Sequence, residues 1–317
     1  MSLLRNTLAT FRMIKIEHSV FALPFAFTGA FMAARTIPSI GLSVGSAAGS
    51  PATGAAQWTM PGWDVLVPLT IAMVAVRSFA MAYNRLADVD IDSKNPRTQN
   101  RPLVTGELSV AFTKRFIFAC VLIFTTACAA LNTTCLLLSP LALGLSAFYS
   151  HTKRFTPLCH LVLGSVLGLA PVAGWLAVQP SHLGYPAVLL FFAVTFWVAG
   201  FDILYACQDE EFDRSQGLFS LPASQGVPRA LFLSSWTHAA AALLFPMAGW
   251  HAGLGLVYSV VSLLVGGILV WEHKLIKPGD LSRVNVAFFT LNGVIAVFLF
   301  LGAWADLHLG SPWMFPR

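Results

Sequence analysis

DVLVPLTIAMVAVRSFAMAY (residues 64–83) runs straight into NRLADVDID (84–92). Between Asp64 and Tyr83 the first part is apolar apart from Arg77 and small hydroxyls. Its length is the roughly 20 residues that a helix needs to cross the hydrocarbon layer. The second part turns polar at once and carries Asp88, Asp90 and Asp92. A spanning helix that ends in a cluster of acids delivers them to one face of a membrane.

The rest of the chain reads the same way. Of its 317 residues, 56% are apolar and 10% are charged. Soluble domains carry about a quarter charged residues, so this chain cannot coat a water-exposed surface. Apolar runs of spanning length fall near 18–36, 64–83, 111–131, 133–150, 157–178, 186–206, 229–249, 252–271 and 284–305, nine in all. The expected fold class is all-α: a polytopic membrane protein of nine transmembrane helices around a central polar cavity, with 1–317 as one domain. Residues 37–63, rich in Gly, Ala, Ser, Pro and Thr without helical or strand period, read as a flexible loop outside the membrane. Residues up to Lys15 lack the apolar core and cleavage site of a secretory signal, so the first run is expected to be a retained anchor. Cys120, Cys128, Cys135, Cys159 and Cys207 show no C-x-x-C spacing and read as small packing residues.

Charge orients the array. With the N-terminus in the cytoplasm, 16 of the 19 Lys and Arg fall on cytoplasmic segments, Arg35 and Arg317 on the other side, and Arg77 within a span. Positive charge accumulates on the cytoplasmic side, and one missed span would scramble the split. The expected topology is N-in, C-out. Eleven of the 14 acids, Glu272 among them, share the cytoplasmic segments. The charge rule says nothing about acids, so their clustering points to a polar site open to the cytoplasm.

Two motifs supply that site. Asn84, Asp88 and Asp92 are spaced i, i+4, i+8 and would line one stripe of a continuing helix. YACQDEEFD (205–213) follows the sixth span, and Tyr205, Asp209 and Asp213 repeat the spacing 121 residues later. Carboxylates four apart on a helix repel by a few tenths of a kcal/mol, and a multivalent cation reverses that sign. Mg²⁺ takes oxygen ligands, commonly one or two carboxylates plus substrate phosphates. Two facing stripes could therefore hold metal ions that bridge a diphosphate. Solvated helix ends would explain one such motif more readily than two matched ones.

The two motifs resemble the Asp-rich pair of the UbiA superfamily of intramembrane prenyltransferases. The likeness extends over most of the chain and includes YSHTKRFT (149–156) after the fourth span. NRLADVDIDSKNPRTQNRPL (84–103) and FDILYACQD (201–209) are similar to bacterial members that act on 4-hydroxybenzoate or serve menaquinone synthesis by the futalosine route. The commoner first motif has Asp directly after its Asn, where this chain has Arg85. The resemblance implies a nine-helix fold around a cavity, with Mg²⁺ and a prenyl diphosphate on Asn84, Asp88, Asp92, Asp209 and Asp213. It also implies transfer of a polyprenyl chain to an aromatic acceptor in ubiquinone or menaquinone synthesis, in a bacterial inner membrane. Small molecules and lipid are the expected partners, and no nucleic acid.

Arg97, Arg101, Lys153 and Arg154 stand in the loops beside the motifs and are candidate diphosphate ligands, or plain topogenic charge. Arg77, two turns deeper on the Asn84 stripe, would meet an acceptor carboxylate or the diphosphate, or else pair with Asp202. Asp202, seven residues before Asp209, would take the proton of the attacked ring or pack through a buried hydrogen bond. Arg77 and Asp202 are the candidate catalytic residues. Glu17 and His18 open the first span as possible cavity residues, and His160 and His238 read as polar packing. Some of the 25 Phe could shield an allylic cation. A secondary transporter is the rival reading, since paired motifs and intramembrane charges occur there too. Transporter sites favour the bilayer midplane, whereas these acids lie at one membrane face.

Overall fold

In the computed structural model the described residues are 3–14, 22–36, 60–277, 279–284 and 290–309. They form helices and no named strand: α1 (Leu3–Ile14), α2 (Leu23–Thr36), α3 (Trp63–Ala87), α4 (Val89–Lys94), α5 (Val110–Leu131), α6 (Thr133–Thr152), α7 (Cys159–Val178), α8 (Tyr185–Ala206), α9 (Glu210–Ser215), α10 (Leu221–Gln225), α11 (Val227–His251), α12 (Leu256–Leu275) and α13 (Asn292–Leu309). A 3₁₀ turn, Cys207–Asp209, links α8 to α9. The chain is an integral membrane protein of the all-α class.

Local chemistry sets several boundaries. Ser109 caps α5 by accepting from the Phe112 amide at 3.1 Å. Asn132 alone joins α5 to α6: its Oδ1 accepts from the Cys135 amide at 2.9 Å, and its Nδ2 donates to the Leu176 carbonyl at 2.9 Å. One residue suffices to reverse the chain because its backbone amide closes α5 on the Cys128 carbonyl while its side chain caps α6. Pro68, Pro140, Pro171 and Pro246 lie inside long helices, where neighbouring helices in a bundle make a missing amide tolerable.

Packing centres on α8, whose Trp197, Val198, Ala199 and Leu190 are fully buried. Apolar side chains on almost every face suit a helix surrounded by other helices. α7 joins α8 and α2 through glycines. A Cβ on Gly164 would stand 2.2 Å from the Thr195 carbonyl oxygen, and one on Gly174 would stand 1.8 Å from that of Ala26. Such approach is how membrane helices gain contact when lipid competes equally for apolar surface.

Eight helices among the described residues are long and apolar enough to span. The first expected span holds α2, of which 14 residues are described. It sits inside the bundle, with Phe25, Ala26, Ala30 and Met32 buried. The last expected span, near 284–305, holds α13, and residues 285–289 lie outside the described residues. Val284 and Leu291 pack with Leu204 and Ile276, and Asn292 bonds to Trp197 and Glu272. Glu272, expected in an extramembrane segment, is fully buried on α12, because Asn292 donates to its Oε1 at 3.2 Å. The loop expected at 37–63 lies outside the described residues up to 59, as do Glu17 and His18.

Candidate active site

The continuous stripe expected at the first motif is also corrected. α3 ends at Ala87, Asp88 takes φ −105° and ψ 10°, and α4 restarts at Val89. At the second motif Asp209 takes φ −107° and ψ 10° between the 3₁₀ turn and α9. The breaks do not scatter the acids. A cavity of about 1120 Å³ opens where α3, α6 and α8 end and α7 begins, lined by Asn84, Asp88, Asp92, Asp209 and Asp213 together with Arg77, Arg97, Arg101, Lys153 and Asp202. Arg154 is not in the lining; it holds Asp88 from behind.

Every carboxylate but one is matched to a basic side chain. Asp88, 2% exposed, accepts from Lys153 Nζ at 2.8 Å, Arg154 Nη2 at 3.0 Å and Asn84 Nδ2 at 3.2 Å. Asp92 pairs with Arg101. Asp209 takes a two-pronged bond from Arg97 and a 3.1 Å bond from Asn95 Nδ2. Arg97 also donates to the Tyr205 hydroxyl at 2.9 Å. Burial alone would lower the Arg97 pKa, but hydrogen bonds and charge from Asp209 outweigh it, so the guanidinium lies above its ordinary value and stays cationic. Asn95 and Arg97 belong to the loop after the first motif, yet both serve the second. The two halves of the site are thus stitched together across the cavity mouth.

Deeper in, the walls carry polar atoms without partners. Arg77 Nε and Ser150 Oγ are buried and make no hydrogen bond among the described residues, and both residues line the cavity. Asp202 does not pair with Arg77; its Oδ2 lies 2.7 Å from His160 Nδ1. Tyr149, Leu163, Leu167, Val198 and Phe201 complete an apolar flank. Leu8, Phe11 and Arg12 of α1 roof the entrance, and Arg12 bonds to Glu107.

A membrane bundle with paired Asp motifs around one polar cavity narrows the comparison. The model of the UbiA prenyltransferase family matches residues 22–300. This chain belongs to the UbiA prenyltransferase family. A 4-hydroxybenzoate octaprenyltransferase of Saccharophagus degradans is 31% identical over 253 residues, covering 78% of this chain and 82% of the relative. One from Shewanella sp. (strain ANA-3) is 32% identical over 249 residues, covering 77% and 85%. Among solved structures, the apo UbiA homolog from Aeropyrum pernix K1 matches with a TM-score of 0.77 at 35% identity, over 92% of this chain and 98% of that one. A UbiA homolog from Archaeoglobus fulgidus bound to GPP and Mg²⁺ matches with a TM-score of 0.70 over 95% and 99%, and at 19% identity it speaks for the UbiA fold alone. The chain is a membrane-embedded prenyltransferase.

Sequence reading passed over several residues of this UbiA cavity. His160 read as packing, yet it is bonded to Asp202. Asn95 carried no signal, because its partner Asp209 is 114 residues away. Arg85 was noticed only as a departure from the commoner motif; it lines the cavity and donates to Asn84 Oδ1 at 3.3 Å. A polar residue within a span, as at His160, is the one signal in the sequence for a cavity partner.

Proposed function

We propose that this prenyltransferase moves a polyprenyl chain from its diphosphate to an aromatic acid of the 4-hydroxybenzoate or dihydroxynaphthoate type, yielding a lipid-tailed precursor of ubiquinone or menaquinone. The whole chain serves as one transmembrane domain in a bacterial inner membrane, with the cavity open to the cytoplasm. One observation carries the reading: the cavity that gathers the four motif carboxylates also holds the orphaned Arg77 Nε and Ser150 Oγ deeper in its wall. Buried polar atoms are rarely left without a partner. An anionic aromatic acid offers one to the guanidinium, and its ring suits the apolar flank.

The residues fit magnesium. Asn84, Asp88, Asp92, Asp209 and Asp213 present hard oxygen donors on two facing segments. Among the described residues no three His, Cys, Asp or Glu converge on one point, which suits an ion that completes its shell with water and phosphate oxygens. Bound there, Mg²⁺ would neutralise the diphosphate and make it a better leaving group. Relatives' names support the same donor and acceptor classes: the Archaeoglobus homolog is described with GPP and Mg²⁺, and the curated relatives as 4-hydroxybenzoate octaprenyltransferases.

The chain's own groups then divide the work. Arg97, Arg101 and Lys153 offer hydrogen bonds to diphosphate oxygens and exchange them with the Asp carboxylates, while Arg154, outside the lining, braces Asp88. Arg77 orients the acceptor carboxylate. The allylic C–O bond breaks with its electron pair leaving on the diphosphate, and the acceptor ring forms the new C–C bond. Asp202 takes the ring proton, and the C–H electrons restore aromaticity. Walls of Leu163, Leu167, Val198 and Phe201 keep water from the cation.

Purified protein incubated with Mg²⁺, prenyl diphosphates of several lengths, and a panel of hydroxybenzoates and naphthoates tests this. Magnesium-dependent release of diphosphate coupled to a prenylated aromatic product is expected. Product formation without Mg²⁺, or with acceptors lacking an aromatic ring, would overturn it.

A further inference from the structure

Asp202 faces the cavity from α8, and its Oδ2 lies 2.7 Å from Nδ1 of His160 on the neighbouring α7. His160 is 4% exposed. Its other nitrogen, Nε2, lies 3.1 Å from the amide nitrogen of Leu221, the first residue of α10. An amide N–H can only donate, so Nε2 must accept. In a neutral ring the proton therefore sits on Nδ1 and points at Asp202. Heavy-atom geometry thus selects the tautomer, which is otherwise a free choice.

We propose that His160 is a positioning residue for prenyl transfer: it donates to one oxygen of Asp202, holds that side chain in one rotamer, and leaves the second oxygen to face the acceptor ring. This rests on the reading of Asp202 as proton acceptor and adds the group that orients it. A carboxylate in a low-dielectric bundle is costly unless something bonds to it, and His160 supplies the bond from the side away from the substrate. When the ring C–H breaks, the proton goes to the free Asp202 oxygen while the Nδ1–H bond to the other stays in place.

Two observations favour this over packing between helices. α7 and α8 already meet backbone to backbone at Gly164 and Gly168, where a Cβ would stand 2.2 Å from the Thr195 carbonyl oxygen and 2.7 Å from that of Phe191. That interface needs no buried hydrogen bond to close. The far nitrogen of His160 also reaches out of the bundle to the segment that carries Asp213. There the Leu218 amide donates to the Asp213 carbonyl at 2.8 Å, and the Phe219 amide to the Lys153 carbonyl at 2.7 Å. The same imidazole thus ties the proton acceptor to the support of the second metal-motif segment.

Two substitutions separate the bonds. His160→Asn keeps a donor at the δ position and loses the reach to Leu221. His160→Gln keeps an acceptor for Leu221 and loses the δ donor. With the full-length protein, Mg²⁺, geranyl diphosphate and 4-hydroxybenzoate as probes, His160→Gln should lower kcat by roughly 10- to 100-fold, the scale of a displaced catalytic group. The KM for geranyl diphosphate should stay within about twofold, and His160→Asn should recover most of the rate. In an Asp202→Asn background His160→Gln should add no further loss, since coupled residues do not add. If Asp202→Asn abolishes turnover while the two His160 variants fall equally, or neither falls, the His160 assignment is overturned and the Asp202 reading stands. If Asp202→Asn retains full kcat, the Asp202 reading falls and takes this one with it.

Discussion

Asp88 and Asp209, 121 residues apart, share one backbone conformation, φ −105° and −107° with ψ 10° at both. Each stands just before a six-residue helix, and neither side chain caps it. An Asp at that place ordinarily accepts from the second or third amide of its helix. Here both carboxylates turn to cations instead: Asp88 to Lys153 and Arg154, Asp209 to Arg97.

Replacing either carboxylate by its amide should therefore stop turnover without unfolding the bundle. Asp88→Asn and Asp209→Asn are each expected to lower kcat/KM at least about 100-fold, as when one preorganised charge-stabilising group is lost, and to raise the Mg²⁺ concentration for half-maximal rate. Asp88→Ala should be worse for stability, because it leaves the partly exposed Lys153 and Arg154 beside each other without their shared carboxylate. Steady-state rates over a magnesium titration, with thermal melts in detergent, check both. Near-wild-type rates at saturating Mg²⁺ would refute the metal assignment.

Arg77 separates acceptor from donor binding. Arg77→Lys keeps the charge and loses bidentate geometry, while Arg77→Met removes the charge. The acceptor KM should rise in both, more in Met, by about tenfold or more, with the prenyl-diphosphate KM little changed. A rise confined to the donor KM would move Arg77 to the diphosphate site.

The side of the membrane is open to chemical labelling. All five native cysteines are buried, so a single introduced cysteine reports with little background. Ser93→Cys and Ser215→Cys, at exposed positions beside the two motifs, should react with an impermeant maleimide in inside-out vesicles and resist it in intact cells. Labelling in intact cells would reverse the topology.

Asp306 offers a stability test away from the chemistry. Fully buried on α13, its Oδ2 accepts from the amides of Gly255 at 2.6 Å and Tyr258 at 3.0 Å, capping α12 from another helix. Asp306→Ala leaves those amides unsatisfied, at a cost of about 1–3 kcal/mol. A lower melting temperature with a normal KM for both substrates is expected; an unchanged melting temperature would deny the cap.

The sequence by itself determined the all-α membrane class, the identity of the motif acids and the side of the bundle on which they gather. Apolar run length and charge asymmetry are local quantities, and a membrane makes them decisive because no unpaired backbone is tolerated within it. One burial was less legible: Glu272 looks extramembrane by its charge, yet it is buried on α12 and bonded to Asn292, 20 residues further along the chain. Only the tertiary structure decided what each acid touches. Asp209 meets Asn95 and Arg97 from a loop more than 100 residues earlier, and Asp202 meets His160 and not Arg77. Such pairings depend on how the helices cross, as where Gly164 lets α7 meet the backbone of α8 and Gly174 lets it meet that of α2. Helical spacing within one segment carries no information about that crossing.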